Sequence, residues 1–205
     1  VVGDVAGFAA AVYKRGMPFI QVPTTLTAQV DSAIGGKTAI DLPQGKNLLG
    51  AFHQPRFVLA DTRFLATLPD GIFRDGLAEV VKYGVIRDAK FLAWIENNLP
   101  AILRREEAAI EKIVTVCARI KASVVAGDER DTLGVRMILN FGHTLGHALE
   151  AAAGYTALSH GRAVSIGMCA AADLWARLGA LKDKALPGRL RRILTACGLP
   201  TAIPQ

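Results

Sequence analysis

The histidines are the residues of this chain whose type and spacing most directly suggest chemistry. His143 and His147 lie four residues apart, and His160 follows a short distance later. Residues with this spacing share one face of a helix, so the two histidines are predicted to project together, with Asn140 on the same face. Imidazole is the commonest zinc ligand, and a catalytic zinc generally has three protein ligands and one open position. The histidines therefore indicate a candidate metal site.

A carboxylate would complete such a site. Glu79 lies in the otherwise apolar stretch 76–82, and a buried carboxylate needs a partner, which a metal ion would supply. Lys82 follows one turn later and is predicted to bring a cation to the same face. Polar core packing explains the pattern as well as a metal does. The metalloprotease motif is excluded because Thr144 stands where its glutamate would be.

A glycine-lysine segment offers a second candidate site. Residues 35–38 read Gly-Gly-Lys-Thr, like the end of a P-loop, but Asp31 occupies the position where that motif needs its first glycine. What remains is a predicted loop carrying Lys37, Lys46 and Asn47. Lysines and exposed backbone amides suit a phosphate or a carboxylate. An ordinary solvated turn fits these residues equally well.

Composition limits the class of protein. With 51% hydrophobic and 20% charged residues among 205, the chain is predicted to be globular. Its apolar runs are too short for a membrane span, and nothing resembles a secretion signal. Three widely spaced cysteines predict buried thiols in a cytoplasmic protein. The net charge of +6 comes from dispersed basic residues, which are not the cluster expected of a nucleic-acid-binding protein, and it fits a small anionic substrate equally well.

The pattern of elements changes along the chain. Up to about residue 68 we predict an α/β part, with a helix over 4–15, strands over 18–22 and 57–60, and a long glycine-rich loop between the strands. Beyond it, periodicity predicts only helices. Their predicted ranges are 75–85, 90–98, 106–125, 140–153, 161–178 and 184–197. Two domains are therefore expected, over 1–68 and 69–205.

Several sequence blocks, in order, resemble the 3-dehydroquinate synthase family of sugar-phosphate cyclases. The blocks are residues 2–8 (VGDVAGF), 21–25 (QVPTT), 28–32 (AQVDS), 35–38 (GGKT), 45–47 (GKN), 78–84 (AEVVKYG), 139–144 (LNFGHT) and 160–161 (HG). The resemblance implies a partial Rossmann-like NAD-binding α/β domain followed by a helical metal-binding domain. It also implies an active site in the cleft between them, and a homodimer.

The resemblance also implies functional residues. The implied zinc ligands are Glu79, His143 and His160, with cobalt as an alternative metal. The implied NAD contacts are Val2, Gly3, Asp4, Thr24, Thr25, Lys37, Lys46, Phe64 and Thr67. The implied substrate-site residues are Arg15, Asp31, Lys37, Asn47, Lys82, Lys121, Arg136, Asn140 and His147. The role of Asp131 stays open, because the chain carries one inserted residue before Arg136 relative to the family pattern.

The implied reaction converts 3-deoxy-D-arabino-heptulosonate 7-phosphate to 3-dehydroquinate and phosphate, a step of the shikimate pathway. It combines transient oxidation by NAD, elimination of phosphate, reduction and an intramolecular aldol closure. The lysines and the arginine would neutralise the anionic substrate, and His147 would orient or relay protons near the phosphate.

Three alternatives stay open beside this function. They are another sugar-phosphate cyclase, a metal-dependent polyol dehydrogenase of the glycerol-dehydrogenase type, and a non-catalytic binding module. Asn140 and His147 match the dehydroquinate pattern rather than that of the valiolone-forming relatives. The family's glycine run lies ahead of Val1, and a lysine-containing segment is expected beyond Gln205. The chain is therefore predicted to be a fragment.

Overall fold

A computed structural model describes residues 1–42 and 44–203 of the chain. The helices in these ranges are α1 (Val2–Val12), α2 (Asp70–Arg87), α3 (Ala89–Leu103), α4 (Glu107–Gly127), α5 (His143–Ala152), α6 (His160–Arg177) and α7 (Leu186–Ala196). The strands are β1 (Lys37–Leu42) and β2 (Gly45–Phe52). Single turns of tighter or wider helix cover Tyr13–Arg15, Ala28–Ser32, Thr62–Ala66 and Val135–Asn140. The predicted helices are thus confirmed, with most ends shifted by a few residues.

The glycine-rich segment is not the loop that its composition predicts. Strands β1 and β2 pair in antiparallel fashion, with Lys37 opposite Phe52 and Thr38 opposite Ala51. Gly50 permits this close pairing, because a Cβ atom there would lie 2.4 Å from the carbonyl oxygen of Thr38. The prediction of a loop was wrong because residues that favour strands, such as Thr38, Ile40 and Phe52, pair across the hairpin despite the glycines. The hairpin presents Lys37 and Lys46 on defined strands.

The two predicted strands form only a minimal parallel pairing. Gln21 and Val58 make a single bridge, in which Gln21 N–H donates to the Phe57 carbonyl at 3.1 Å and Leu59 N–H donates to the Gln21 carbonyl at 2.8 Å. These segments are extended, as predicted, and they run parallel to each other. The described residues contain no further strand beside them, so the Rossmann-like sheet stays a prediction.

Helix α2 is buried on nearly all sides and lies at the centre of the core. It packs against α3, α4 and α6. Its fully buried apolar side chains are Phe73, Leu77, Val80, Val81 and Tyr83. Each such burial contributes about 1.5–3 kcal/mol of hydrophobic stabilisation. The same helix buries Glu79 and Lys82, which are 0% and 1% exposed. The core therefore contains two charged side chains in addition to its apolar ones.

Helices α5 and α6 pack very closely, and glycines make this possible. A Cβ atom on Gly167 of α6 would lie 1.9 Å from the Gly142 carbonyl oxygen, and one on Gly146 would lie 3.2 Å from the Val164 Cα atom. Gly142 adopts a left-handed φ of 82° just before α5. Together with the non-helical ψ of 119° at Phe141, that turn separates the short helix ending at Asn140 from α5. The prediction that Asn140 shares a helical face with the two histidines was therefore wrong, because Gly142 interrupts the helix.

Two further predictions concern the core and the membrane. Cys117, Cys169 and Cys197 are buried free thiols, and burial raises the pKa of each. Within residues 1–42 and 44–203, no helix combines the length and apolar character needed to cross a bilayer. The domain boundary near residue 68 stays a prediction. In the structure, α2 begins two residues later, at Asp70.

Candidate active site

Three side chains from three different helices converge on one point. Glu79 of α2 places Oε1 at 3.3 Å from His143 Nε2 of α5 and at 3.2 Å from His160 Nε2 of α6. The ligand atoms of this group all lie within 4.8 Å of one another. Two imidazole nitrogens and a carboxylate oxygen are a donor set typical of zinc. From the sequence, these three residues could form either a metal site or polar packing in the core. The structure brings them together at one point.

Lys82 lies against the same carboxylate. Its Nζ forms an ion pair with Glu79 Oε2. Burial opposes ionisation of Glu79, but Lys82, His143 and His160 outweigh this effect and hold its pKa well below the usual range. Burial likewise opposes protonation of Lys82, but Glu79 and Asp31 raise its pKa. The site therefore keeps a buried carboxylate ionised and a buried ammonium charged.

A second carboxylate on α2 positions His160. Asp75 caps the first turn of α6, accepting hydrogen bonds from the backbone N–H groups of Gly161 and Arg162, each at 3.0 Å. Negative charge at a helix N-terminus is favourable, because the first amides lack partners within the helix. Gly161 is required here, since a Cβ atom would lie 2.0 Å from the Asp75 carbonyl oxygen. Because His160 directly precedes Gly161, this contact fixes the position of His160 relative to α2.

A cavity of about 940 Å³ lies beside these residues, between the hairpin and the helices. Its volume suits a ligand of small-molecule or cofactor size. The predicted site residues that line it are Asp4, Thr25, Asp31, Lys37, Lys46, Asn47, Lys82, Lys121, Arg136, Asn140, His143, His147 and His160. Residues predicted for metal, cofactor and substrate thus meet around one cavity.

Other predicted residues lie outside the lining of this cavity. Glu79 is fully buried behind the histidines. Arg15 is exposed in the turn after α1, where its φ is 66°. The remaining predicted residues outside the lining are Val2, Gly3, Thr24, Phe64 and Thr67. Their assigned roles stay predictions.

A buried network joins the first segment of the chain to α4. Lys121 Nζ donates to Asp31 Oδ1 at 2.8 Å and to the Asp31 carbonyl at 2.7 Å, and the Tyr83 hydroxyl donates to the same carboxylate. Burial opposes ionisation of Asp31, but Lys121 and Lys82 outweigh it and lower the pKa of Asp31. Asp31 thus holds Lys121 in place, and its negative charge helps to keep Lys82 protonated.

Arg136 is a buried cation with a free donor. It is 4% exposed, and its Nη1 donates to the Glu129 carbonyl at 2.9 Å. Its Nε has no hydrogen-bond partner among residues 1–42 and 44–203. Unpaired buried donors are costly, typically about 1–3 kcal/mol. Arg136 lines the cavity, so its guanidinium brings a positive charge to that wall.

The loop before Arg136 contains Asp131, whose role the sequence left open. Asp131, at a φ of 54°, forms an ion pair with Lys37 of the hairpin at 2.5 Å. Asp128 organises the loop by accepting hydrogen bonds from the N–H groups of Thr132, Leu133 and Val135. The Lys37–Asp131 pair connects the hairpin to this loop, which follows α4.

Replacing Asp128 by alanine is expected to loosen this loop. The N–H groups of Thr132, Leu133 and Val135 would lose their common acceptor, so their hydrogen exchange should accelerate strongly while that of core helix α2 stays unchanged. Amide exchange followed by NMR or mass spectrometry measures this effect. Asp128→Asn, which keeps one acceptor oxygen, should give an intermediate result. Unchanged protection of all three amides in the alanine variant would show that Asp128 does not organise the loop.

Four residues of the site were missed by sequence reasoning: Asp75, Tyr83, Asp128 and Glu150. Only Glu150 carried a usable signal, because it follows His143 by seven residues and His147 by three, and therefore shares their helical face. The roles of the other three depend on partners distant in sequence.

Glu150 faces the other side of His160. It is 2% exposed, and its Oε2 lies 3.2 Å from His160 Nδ1 while its Oε1 accepts from Lys46 Nζ at 2.7 Å. Burial opposes ionisation of Glu150, but His160 and Lys46 outweigh it and lower its pKa to about 2. Burial also opposes protonation of His160, but Glu150 and Glu79 raise its pKa to about 10. A metal ion would have to displace that proton.

Solved structures with the same fold identify the class of protein. One is 2-epi-5-epi-valiolone synthase from Streptomyces hygroscopicus with NAD+ and Zn2+ bound, at a TM-score of 0.90 and 30% identity over 98% of this chain and 56% of that chain. Another is 2-deoxy-scyllo-inosose synthase complexed with carbaglucose-6-phosphate, NAD+ and Co2+, at a TM-score of 0.88 and 34% identity over 98% of this chain and 54% of that chain. The fold is that of the sugar-phosphate cyclases.

Sequence comparison narrows this class to one family. Residues 1–75 match the model of the 3-dehydroquinate synthase N-terminal domain, and residues 76–205 match that of the C-terminal domain. The chain belongs to the 3-dehydroquinate synthase family. It is 55% identical, over its whole length, to the 3-dehydroquinate synthases of Methylococcus capsulatus and Symbiobacterium thermophilum. It spans 56% and 57% of those proteins, respectively.

Proposed function

We propose that the protein carrying this chain is a 3-dehydroquinate synthase, which converts 3-deoxy-D-arabino-heptulosonate 7-phosphate to 3-dehydroquinate and phosphate. The observation that carries the proposal is the family match over all 205 residues, with Glu79, His143 and His160 converging beside a cavity lined by cations. This chain spans little more than half the length of its relatives. The proposed activity is therefore that of the whole natural protein that contains this chain.

The donor set supports a zinc or cobalt ion held by Glu79, His143 and His160. Glu79 Oε1 faces the Nε2 atoms of His143 and His160 at 3.3 and 3.2 Å, while Oε2 is paired with Lys82. Such a carboxylate suits a cation better than apolar packing. When bound, the metal supplies a Lewis acid that polarises a substrate oxygen. This favours the metal site over the polar-core interpretation.

The cations of the cavity suit the charges of the substrate. Arg136 and Lys121 both line the cavity and would neutralise the carboxylate and phosphate groups. Asn140 and Asn47 supply neutral polar contacts that orient hydroxyls. His147, whose pKa is lowered by partial burial and by His143, would be largely neutral at pH 7 and able to accept or relay a proton near the phosphate.

The nucleotide site is supported by the residues on the hairpin side of the cavity. Asp4, Thr25 and Lys46 line this side, and the relatives with the same fold are complexed with NAD+. NAD, when bound, accepts a hydride and returns it within one turnover. The proposal also includes the separation into nucleotide and helical domains near residue 68, and a homodimer.

The assay that tests this function follows two products at once. The full natural protein is incubated with the heptulosonate phosphate, NAD+ and Zn2+, and phosphate and 3-dehydroquinate are measured together. We expect equal amounts of both, with no net accumulation of NADH. Phosphate release with a different carbocycle would indicate another cyclase, sustained NADH formation would indicate a polyol dehydrogenase, and no product would indicate a binding module.

A matched pair of arginine variants tests the proposed anion site. Arg136→Met should lower kcat/KM by about 10- to 100-fold, since a charge-assisted hydrogen bond contributes about 1.5–3 kcal/mol. Arg177→Met serves as the control, because Arg177 is exposed in the last turn of α6. Equal activity of the two variants would remove Arg136 from the substrate site.

A further inference from the structure

Glu150 is the buried carboxylate for which neither the family resemblance nor the proposed function gives a role. It lies on the face of α5 that carries His143 and His147, and α6 brings His160 against it. Both of its oxygens are in use: Oε2 faces His160 Nδ1 at 3.2 Å and Oε1 faces Lys46 Nζ at 2.7 Å. A carboxylate with two fixed partners and 2% exposure is held in one orientation.

The two nitrogens of His160 face different carboxylates. Nε2 lies 3.2 Å from Glu79 Oε1, on the side of the three converging residues. Nδ1 lies on the opposite side, at Glu150. A neutral imidazole carries one N–H and one lone pair, and a hydrogen bond from one nitrogen fixes which nitrogen keeps the lone pair. A hydrogen bond from Nδ1–H to Glu150 therefore leaves the Nε2 lone pair directed to the metal position.

We propose that Glu150 is a positioning residue that fixes the tautomer and ring orientation of His160, so that Nε2 is the nitrogen offered to the metal. Lys46 has the supporting role of neutralising this buried carboxylate from the hairpin. The ammonium group of Lys46 also lies 4.5 Å from the centroid of the Tyr155 ring, which helps to hold it in place. This inference rests on the proposed metal site and deepens it.

A second metal site is the main rival. His147, Glu150 and His160 have ligand atoms within 4.8 Å of one another, so they could hold an ion of their own. A second ion beside Glu150 would need the lone pair of His160 Nδ1, which faces that carboxylate, but a neutral imidazole has only one lone pair, and the proposed site takes it at Nε2. A hydrogen-bonding role leaves both charges of the Lys46–Glu150 pair compensated.

The test measures metal binding rather than turnover. Zinc affinity is determined for the full natural protein and its Glu150→Ala and Glu150→Gln variants by competition with a chromophoric chelator. Loss of a carboxylate that orients a metal-bound histidine costs about 10- to 100-fold in affinity. We expect a loss of this size for Glu150→Ala and a smaller loss for Glu150→Gln, whose amide oxygen still accepts from Nδ1–H. Glu111→Gln, an exposed carboxylate on α4, is the matched control and should bind zinc normally.

Two spectroscopic readouts separate positioning from mere structural support. In 15N-histidine NMR of the zinc-loaded natural protein, His160 should be protonated at Nδ1 and metal-bound through Nε2, a result that requires no variant. Cobalt-substituted Glu150→Ala should show altered visible absorption bands, and Glu150→Gln should restore them in part. Metal binding through Nδ1, unchanged affinity of the alanine variant, or loss of a second equivalent of metal in that variant would overturn the proposal. If the natural protein binds one zinc and turns over, such results leave the proposed function intact.

Discussion

Replacing Glu79 by glutamine is expected to abolish zinc binding and to destabilise the protein by roughly 3–5 kcal/mol. The change removes the only carboxylate in ion-pair contact with Lys82 among the described residues, and it leaves an ammonium group that is 1% exposed without its counter-charge. Breaking a buried ion pair from one side costs about this much, because the remaining charge has lost its solvation and its partner together. Elemental analysis and chemical unfolding measure the two effects.

A double variant separates the two consequences. In Glu79→Gln/Lys82→Met, both charges are replaced by neutral side chains of similar length, so most of the lost stability should return. Zinc binding should not return, because the carboxylate ligand is still missing. Stoichiometric zinc in either variant would reject Glu79 as a ligand. Full stability of the single variant would show that Lys82 is compensated by other groups, such as Asp31.

The second large effect is expected from Gly167→Ala. The new Cβ atom would lie 1.9 Å from the carbonyl oxygen of Gly142 and 3.1 Å from the backbone nitrogen of Gly146. Both neighbours are backbone atoms, so α5 must move away from α6. Overpacking of this kind typically costs about 1–3 kcal/mol. Because His143 follows Gly142 directly, the displacement should also separate His143 from His160 and weaken zinc binding.

Gly71→Ala is the matched control for this prediction. Gly71 lies in the first turn of α2, and a Cβ atom there would meet no atom of the described residues within 4 Å. Alanine is favoured over glycine in helices by up to about 1 kcal/mol, so this variant should be neutral or slightly stabilised and should bind zinc normally. If Gly167→Ala behaves like Gly71→Ala in both unfolding and zinc titration, the close helix contact does not set the geometry of the site.

The helical part of the fold could be predicted from sequence because its signals are local. The periodic apolar residues of 106–125 predict α4, which spans Glu107–Gly127. The hairpin was missed because glycines at 45 and 50 indicate a loop when considered one residue at a time, whereas cross-strand pairing decides the outcome. Likewise, Gly142 breaks the helix that periodicity predicts to run from 140 to 153.

The candidate site was predictable to the extent that residue type alone suggests chemistry. His143 and His160 could be selected because imidazole is a distinctive ligand, and Glu79 because a carboxylate is conspicuous in an apolar helix. Asp75 and Tyr83 could not be selected, because an ordinary aspartate and a core tyrosine gain their roles only from partners far along the chain. Sequence spacing carries no information about such pairs.

The ion pairs around the cavity have a consequence for the order of folding. Lys46 and Glu150 are 104 residues apart, Lys37 and Asp131 are 94 apart, and His160 and Glu79 are 81 apart. Closing loops of this length has an entropic cost that local helix contacts do not carry, so long-range contacts form slowly. We expect the helical hairpins to form early and the cavity to be completed last. Pulse-labelled hydrogen exchange during refolding would then protect the amides inside α5 before those of Gly161 and Arg162, whose acceptor Asp75 lies 86 and 87 residues away.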